Sequence, residues 1–249
     1  LTTKKGYTGE KKISITNSQL HHFLSKGDIV FADDGTLKFK VLKVIKNDIY
    51  LKAENSGQLK SSKGINIPYV NLTGKLITQR DKKIIAFAKS KEVDFIGISF
   101  VESAKHINLI RKLINKETPK IIAKIENQKG IDNLKEILKA TDIIMIDRGD
   151  LSTETNIESL AINQKNIIKL ANELSKPVIV ATEMLDNMIS SPNPTKAEVL
   201  DISNSIVDGA TATMLSGETA IGKYPVESIK VKSKISSVII TMKMLIKKI

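Results

Sequence analysis

The amino-acid sequence predicts an α/β protein whose larger part is built from the βα units of a (β/α)8 TIM barrel. Three observations predict it. Beyond residue 78, five apolar runs show little polar alternation, the pattern of strands covered on both faces. Segments with helical spacing separate them, so consecutive strands run parallel. Side chains able to do chemistry sit at the C-terminal end of nearly every run. An open sheet gathers its site at one switch point, whereas a barrel draws on many strand ends around one mouth.

Taken in order, the first part of the chain reads as all-β. Short β-prone runs at Lys12–Thr16, Asp28–Ala32, Leu37–Ile45 and Asp48–Ala53 are split by turn signals at Lys26-Gly27-Asp28, Asp33-Asp34-Gly35 and Lys46-Asn47-Asp48. Strands this short and this closely spaced suggest a small barrel or sandwich. Pro68 is a plausible boundary, which places a β domain at 1–66 and the α/β part at 67–249. Thr78-Gln79-Arg80-Asp81 has the form of a capped helix start, with Ile84, Ile85, Phe87 and Ala88 following at helical spacing. The five runs are Val93–Val101, Ile121–Ile125, Asp142–Ile146, Pro177–Ala181 and Ala210–Leu215, with helices expected at Ser103–Lys116, Ile131–Lys139, Ile157–Leu174 and Thr195–Val207. A barrel needs eight strands, so about three are expected before residue 1 or on another chain. Leu1-Thr2-Thr3 reads like the middle of a strand, and the chain is expected to be a fragment. Val231 to Ile249 reads as a final amphipathic helix or a segment leading elsewhere.

Composition narrows the function. With 249 residues, 41% of them hydrophobic and 27% charged, the chain can bury a large core, and disorder is excluded as a description of the whole. No stretch reaches the roughly 18 apolar residues of a membrane span, and Val238 to Ile246 is broken by Lys243. The absence of cysteine removes thiolate nucleophiles and thiolate metal sites, and three histidines make a multi-His site a poor reading. An oxygen-ligand site stays open. The formal charge is +12, yet only Arg80, Arg111 and Arg148 of the 39 basic residues are Arg, and aromatics are 4%. Base readout leans on Arg and stacking needs aromatic rings. Anionic small molecules are therefore better partners than nucleic acid.

The strand ends carry the chemistry. In Lys124-Ile125-Glu126, positions two apart on a strand face one side, so Lys124 and Glu126 both point toward the mouth. Asp147-Arg148-Gly149-Asp150-Leu151 follows the next strand. Glu126 and Asp150 together suit Mg2+ or Mn2+, which takes one or two protein carboxylates plus other oxygens. Gly149 lets the backbone approach a ligand closely, and its N–H can hold a carboxylate or phosphate. Thr182 offers a hydroxyl, although a Thr there more often caps the next helix. In Ser216-Gly217-Glu218-Thr219 the ordinary reading is a satisfied turn with Glu218 in an ion pair. Walker A, dinucleotide-binding, zincin and serine-hydrolase patterns are absent from the sequence.

Read together and in order, these strings resemble pyruvate kinase. They are Gly27-Asp28 with Asp33-Asp34-Gly35, Glu54 through Pro68, Phe95–Val101, Ala123-Lys124-Ile125-Glu126-Asn127, Asp147-Arg148-Gly149-Asp150-Leu151, Val180 through Leu185, Pro192 through Glu198, Asp208-Gly209-Ala210 and Met214 through Ala220. The resemblance implies a (β/α)8 barrel with a small β-barrel lid inserted after the third strand, and phosphoryl transfer from phosphoenolpyruvate to ADP, giving pyruvate and ATP. It implies that Glu126 and Asp150 ligate Mg2+ or Mn2+, and that Lys124 is catalytic, neutralising the transferring phosphoryl and the forming enolate. It implies that Gly149, Asp150 and Thr182 hold substrate with Lys124, and that Lys63 touches the nucleotide phosphates. A K+ ion whose ligands lie outside this chain, a homotetramer, and a cytoplasmic location, with a plastid or other organelle as the alternative, also follow from the resemblance.

The chain departs from the family pattern at Asp147, usually Ala, at Ser152, usually Gly, at Glu183, usually Gln, and at Asp186, usually Glu. An extra carboxylate beside Asp150 either tightens cation binding or misplaces it. The family's catalytic Arg and its K+ ligands belong to earlier strands, so the 249-residue piece alone is expected to be inactive. The alternative is a non-catalytic relative that binds a phosphorylated metabolite or a partner. A metal-dependent barrel lyase acting on pyruvate is disfavoured by the lid strings.

Overall fold

The computed structural model describes the chain except for residues 34, 60, 62, 69–75, 116 and 247–249. Asp34, Lys60 and Ser62, which belong to the strings above, lie outside the described residues, as do the last three residues of the expected final helix. The chain divides into two units, Leu1–Lys75 with Thr153–Thr155, and Leu76–Ser152 with Asn156–Ile249.

In the first unit, β1 (Ile29–Ala32), β2 (Leu37–Ile45), β3 (Asp48–Ala53) and β4 (Ile65–Asn66) form an antiparallel sheet in the order β3-β2-β1-β4. The β2–β3 hairpin turns through Lys46 and Asn47, and Lys46 takes the left-handed backbone (φ 52°) that a two-residue turn of this hand requires. Val30, Val41 and Ile49 point to one face and pack with Leu20, Leu24 and Ile67. The expected strand at Lys12–Thr16 does not form. Within it, only Ser14 makes a bridge, to Thr2. The physical reason is that the run buries little: Ile13 is 54% exposed, and Ile15 packs only partly against the core.

The second unit begins with α1 (Gln79–Ser90), whose N-terminus is the expected capping box. Asp81 N–H donates to the Thr78 hydroxyl, and Thr78 N–H donates to the Asp81 carboxylate. Then follow β5 (Phe95–Ile98), α2 (Ala104–Ile114), β6 (Lys120–Ile125), α3 (Gln128–Asp132), α4 (Leu134–Ala140), β7 (Ile143–Asp147), α5 (Arg148–Glu154), α6 (Leu160–Glu173), β8 (Val178–Ala181), α7 (Lys196–Asp208), β9 (Ala212–Met214), α8 (Gly217–Ala220) and α9 (Pro225–Ile246). The strands form one parallel sheet in sequence order, β5-β6-β7-β8-β9. Each apolar run identified from sequence overlaps one of them, with β6 starting one residue before its run and β7 ending one residue beyond its run. The helix expected at Ile131–Lys139 is interrupted at Asn133, whose side-chain amide donates to Glu102 O at 2.8 Å. The one expected at Ile157–Leu174 opens with a 3-10 turn.

Burial follows position in the sheet. Central β7 buries Ile144, Met145 and Ile146 in succession, as a strand covered on both faces must. At the sheet's end, β5 leaves Phe95 half exposed. On β6, Ile121, Ala123 and Ile125 are buried in the core with Ile107 and Ile110 of α2 and Ile137 of α4. Their alternation turns Ile122, Lys124 and Glu126 to the other face, so the hydrophobic core fixes where the two charged residues point. Among the described residues, no helix is long and apolar enough to cross a membrane.

Two substitutions separate the contributions of core and cap. Ile146→Ala, at a fully buried position, is expected to lower the unfolding free energy by about 2–5 kcal/mol. Thr195→Ala removes the second capping box, which opens α7, and is expected to cost about 1 kcal/mol. Chemical denaturation followed by far-UV circular dichroism checks both, and an Ile146→Ala loss no larger than that of Thr195→Ala would contradict the assigned core.

Candidate functional site

Parallel register brings the site together. Lys124 and Ile125 of β6 lie beside Met145 and Ile146 of β7, and Asp147 of β7 lies beside Ala181 of β8. The chain positions that end these strands therefore meet at one edge of the sheet. Lys124 Nζ lies 2.5 Å from Glu126 Oε1 and 2.8 Å from Asp147 Oδ2, with Ser99 Oγ at 3.4 Å. Asp150, in the first turn of α5, completes a group of three carboxylates. Glu126, Asp147 and Asp150 each offer an oxygen within 4.8 Å of the others.

Burial sets the electrostatics. Glu126 is 1% exposed. One carboxylate oxygen accepts the backbone N–H of Phe100. The other, Oε1, lies against the Lys124 ammonium at 2.5 Å and has no further polar partner among the described residues. Loss of hydration pushes Glu126 up to about 7, against the pull of Lys124 and the Phe100 N–H, and the nearby negative charge of Asp147 adds to the rise. For Lys124, burial acts downward, but its bonds to Asp147 and Glu126 outweigh that and raise it above an ordinary lysine. Both directions have one origin: an ammonium shared between two carboxylates in a dry place. A buried carboxylate oxygen whose one polar neighbour is a shared ammonium, with two more carboxylates nearby, suits a hard divalent cation such as Mg2+ or Mn2+.

A second cluster shapes the turn after β8. Thr182 and Glu183 both have left-handed backbone (φ 71° and 52°), an uncommon conformation and most so for a β-branched Thr. Arg148 holds it in place. Its Nε and Nη2 donate to Thr182 O at 3.1 and 2.5 Å, Nη2 also donates to Glu183 O at 3.0 Å, and Nη1 pairs with Asp201 at 2.5 Å. In this posture the Thr182 hydroxyl accepts the Gly149 N–H at 2.8 Å and donates to Ala181 O at 2.6 Å. Ser152, one of the departures, donates to Gly149 O at 2.9 Å.

Lys124, Glu126, Gly149, Asp150 and Thr182 thus gather at the strand ends. Lys63 belongs to the first unit, where it pairs with Asp33 at 2.5 Å. Glu218 is structural: buried, it accepts N–H groups from Leu185 and Ser216 at 2.8 and 2.7 Å, and it is these backbone donors, rather than the ion pair considered from sequence, that satisfy it. Two contributors escaped the sequence reading. Arg148 has no role there, but is 7% exposed and ties three segments together. Asp147 reads as an extra acid, but is half of the Lys124 clamp. The available signal for Asp147 was its place immediately after an apolar run.

Comparison with known proteins gives a consistent family. The family model for the barrel domain of pyruvate kinase matches residues 1–229. The pyruvate kinase of Clostridium perfringens is 42% identical over 228 residues, covering 90% of this chain and 48% of its own length. That of Thermococcus litoralis is 45% identical over 238 residues (95% and 50%), and that of Thermotoga maritima 40% over 238 residues (95% and 51%). The chain spans about half the length of the curated relatives it matches.

A pH dependence follows from Glu126. Because its folded value is raised to about 7, the folded state keeps a proton that the unfolded chain has lost between about pH 4.5 and 7. Its contribution to stability is complete below about 4.5 and is lost as pH rises through 7. Without divalent cation, the melting temperature is expected to fall over pH 5 to 7.5, and Glu126→Gln is expected to flatten that fall. An unchanged slope in Glu126→Gln, measured by thermal melting, contradicts the assignment.

Proposed function

The chain belongs to the pyruvate kinase family, and from that membership we propose that its site transfers the phosphoryl group of phosphoenolpyruvate to ADP, giving pyruvate and ATP. One observation carries the reading: an ammonium, Lys124, stands against Glu126 in a cluster that includes Asp150 at the ends of parallel strands. Phosphoryl transfer needs this kind of site, because catalysis there is positioning plus neutralisation of charge on oxygen.

In this reading the first unit is the lid and the second is part of the eight-stranded barrel. Glu126 and Asp150 hold Mg2+ or Mn2+. When bound, the cation supplies positive charge at the transferring phosphoryl oxygens. Lys124 offers its ammonium to the phosphoryl and to the oxygen of the forming enolate. Its three N–H donors let it keep a carboxylate partner meanwhile. The Thr182 hydroxyl turns from Ala181 O toward the substrate carboxylate. That frees the Gly149 N–H it now accepts, and both then face the ligand. Lys63 meets the nucleotide phosphates. K+ bound elsewhere in the full enzyme, assembly as a homotetramer, and a location in the cytoplasm or an organelle belong to the same reading.

Asp147 favours a second reading. It occupies part of the charge of Lys124, which suits a relative that binds a phosphorylated metabolite or a partner without turning it over. Pyruvate formation from phosphoenolpyruvate and ADP, with Mg2+ and K+, decides between them when measured on the native protein. Lys124→Met is expected to lower turnover about 10²–10³-fold while leaving the Mg2+-bound melting temperature nearly unchanged. Unchanged turnover in that variant sinks the role of Lys124. Phosphoenolpyruvate binding without any wild-type turnover supports the second reading.

A further inference from the structure

We propose that Asp147 is a third cation-holding carboxylate, so that a divalent ion is held by oxygens of Glu126, Asp147 and Asp150 together. The proposal rests on the assignment of Glu126 and Asp150 as cation ligands and extends it by one residue.

Three features of the cluster carry it. The first is spacing. Oxygens around one six-coordinate ion, with bonds of about 2.1 Å, lie about 3 Å apart when adjacent and about 4.2 Å apart when opposite. The three carboxylates already offer oxygens within 4.8 Å of one another, so small side-chain movements bring them onto one ion. The second is Glu126 Oε1, buried in a residue 1% exposed and met, among the described residues, by the Lys124 ammonium and no other polar group. That ammonium is divided between Glu126 and Asp147, so the oxygen keeps a lone pair that a cation can take.

The third is charge. Glu126 and Asp147 share one ammonium, which leaves that buried pair net negative when both are ionised. The nearest cation in sequence, Arg148, is committed to Thr182 O, Glu183 O and Asp201. A divalent ion meets that excess. The consequence is cation affinity that precedes substrate: the ion is held by the protein's own oxygens and needs no substrate oxygen to stay. Because Lys124 touches the same two carboxylates, it competes with the ion for them. Asp147 therefore has two separable roles, cation ligand and counter-ion of Lys124.

The test is Mn2+ binding to the purified native protein at pH 7.5 without substrate, read from the electron paramagnetic resonance signal of free Mn2+. Wild type, Asp147→Asn, Asp147→Ala and Asp150→Asn are compared, and both Asp147 substitutions are repeated in a Lys124→Met background. Circular dichroism checks that each variant is folded, and the nearly isosteric Asp147→Asn serves if Asp147→Ala is not. Wild type is expected to bind one Mn2+ per chain. Each Asp147 substitution is expected to weaken binding at least about tenfold, with or without Lys124. Wild-type affinity in the Asp147 variants, with loss only in Asp150→Asn, overturns the proposal and leaves the Glu126–Asp150 pair standing. A loss that vanishes in the Lys124→Met background also overturns it, since Asp147 then acts only by holding the ammonium. No Mn2+ binding by wild type overturns the proposal and the two-carboxylate assignment alike.

Discussion

Two carboxylates buried at the ends of adjacent parallel strands must share one ammonium, and the arrangement of the site follows from that constraint. Removing Glu126 and Asp147 from water is tolerable only with positive charge in contact, and Lys124 supplies it at 2.5 and 2.8 Å. Lys124 can reach both because β6 and β7 are neighbours in register, with its Cα beside that of Met145. Its side chain faces the site because Ile121, Ala123 and Ile125 are drawn into the core on the opposite face. Hydrophobic packing on one side of the strand thus decides the electrostatics on the other.

The neighbouring turn shows a different balance. Left-handed backbone at Thr182 and Glu183 costs about 1–3 kcal/mol at each residue, and it persists because the surroundings over-determine it. Arg148 does so with three hydrogen bonds to the two carbonyls and an ion pair to Asp201. The planar guanidinium fork can bind several acceptors at fixed angles, which a lysine ammonium cannot. In a chain so poor in arginine, one of three sits here. Its effect passes through Thr182 to the Gly149 N–H, so the backbone donor beside Asp150 depends on a side chain that faces away from the carboxylates.

Much of this is legible in the sequence, for identifiable reasons. The Thr78–Asp81 capping box is local, and local hydrogen bonding is written in adjacent residues. The parallel strands show as apolar runs because strands covered on both faces cannot hide their composition. Lys124 and Glu126 share a face because strand periodicity is two, whatever the rest of the fold does. The misses have physical causes as well. Lys12–Thr16 has β-prone residues but nothing to bury Ile13, and composition does not show what lies opposite a run. Asn133 breaks a helix by reaching the Glu102 carbonyl, 31 residues away.

The sequence by itself therefore determines the alternation of strand and helix, the facing of Lys124 and Glu126, and the family, since these rest on periodicity and on motifs read within a few residues. Only the tertiary structure decides what contacts what across strands: that Asp147 joins Glu126 on Lys124, that Arg148 is buried beneath the 182–183 turn, and that Glu218 is satisfied by backbone. Those contacts join residues tens of positions apart, and the register that brings them together is set by the packing of the whole sheet.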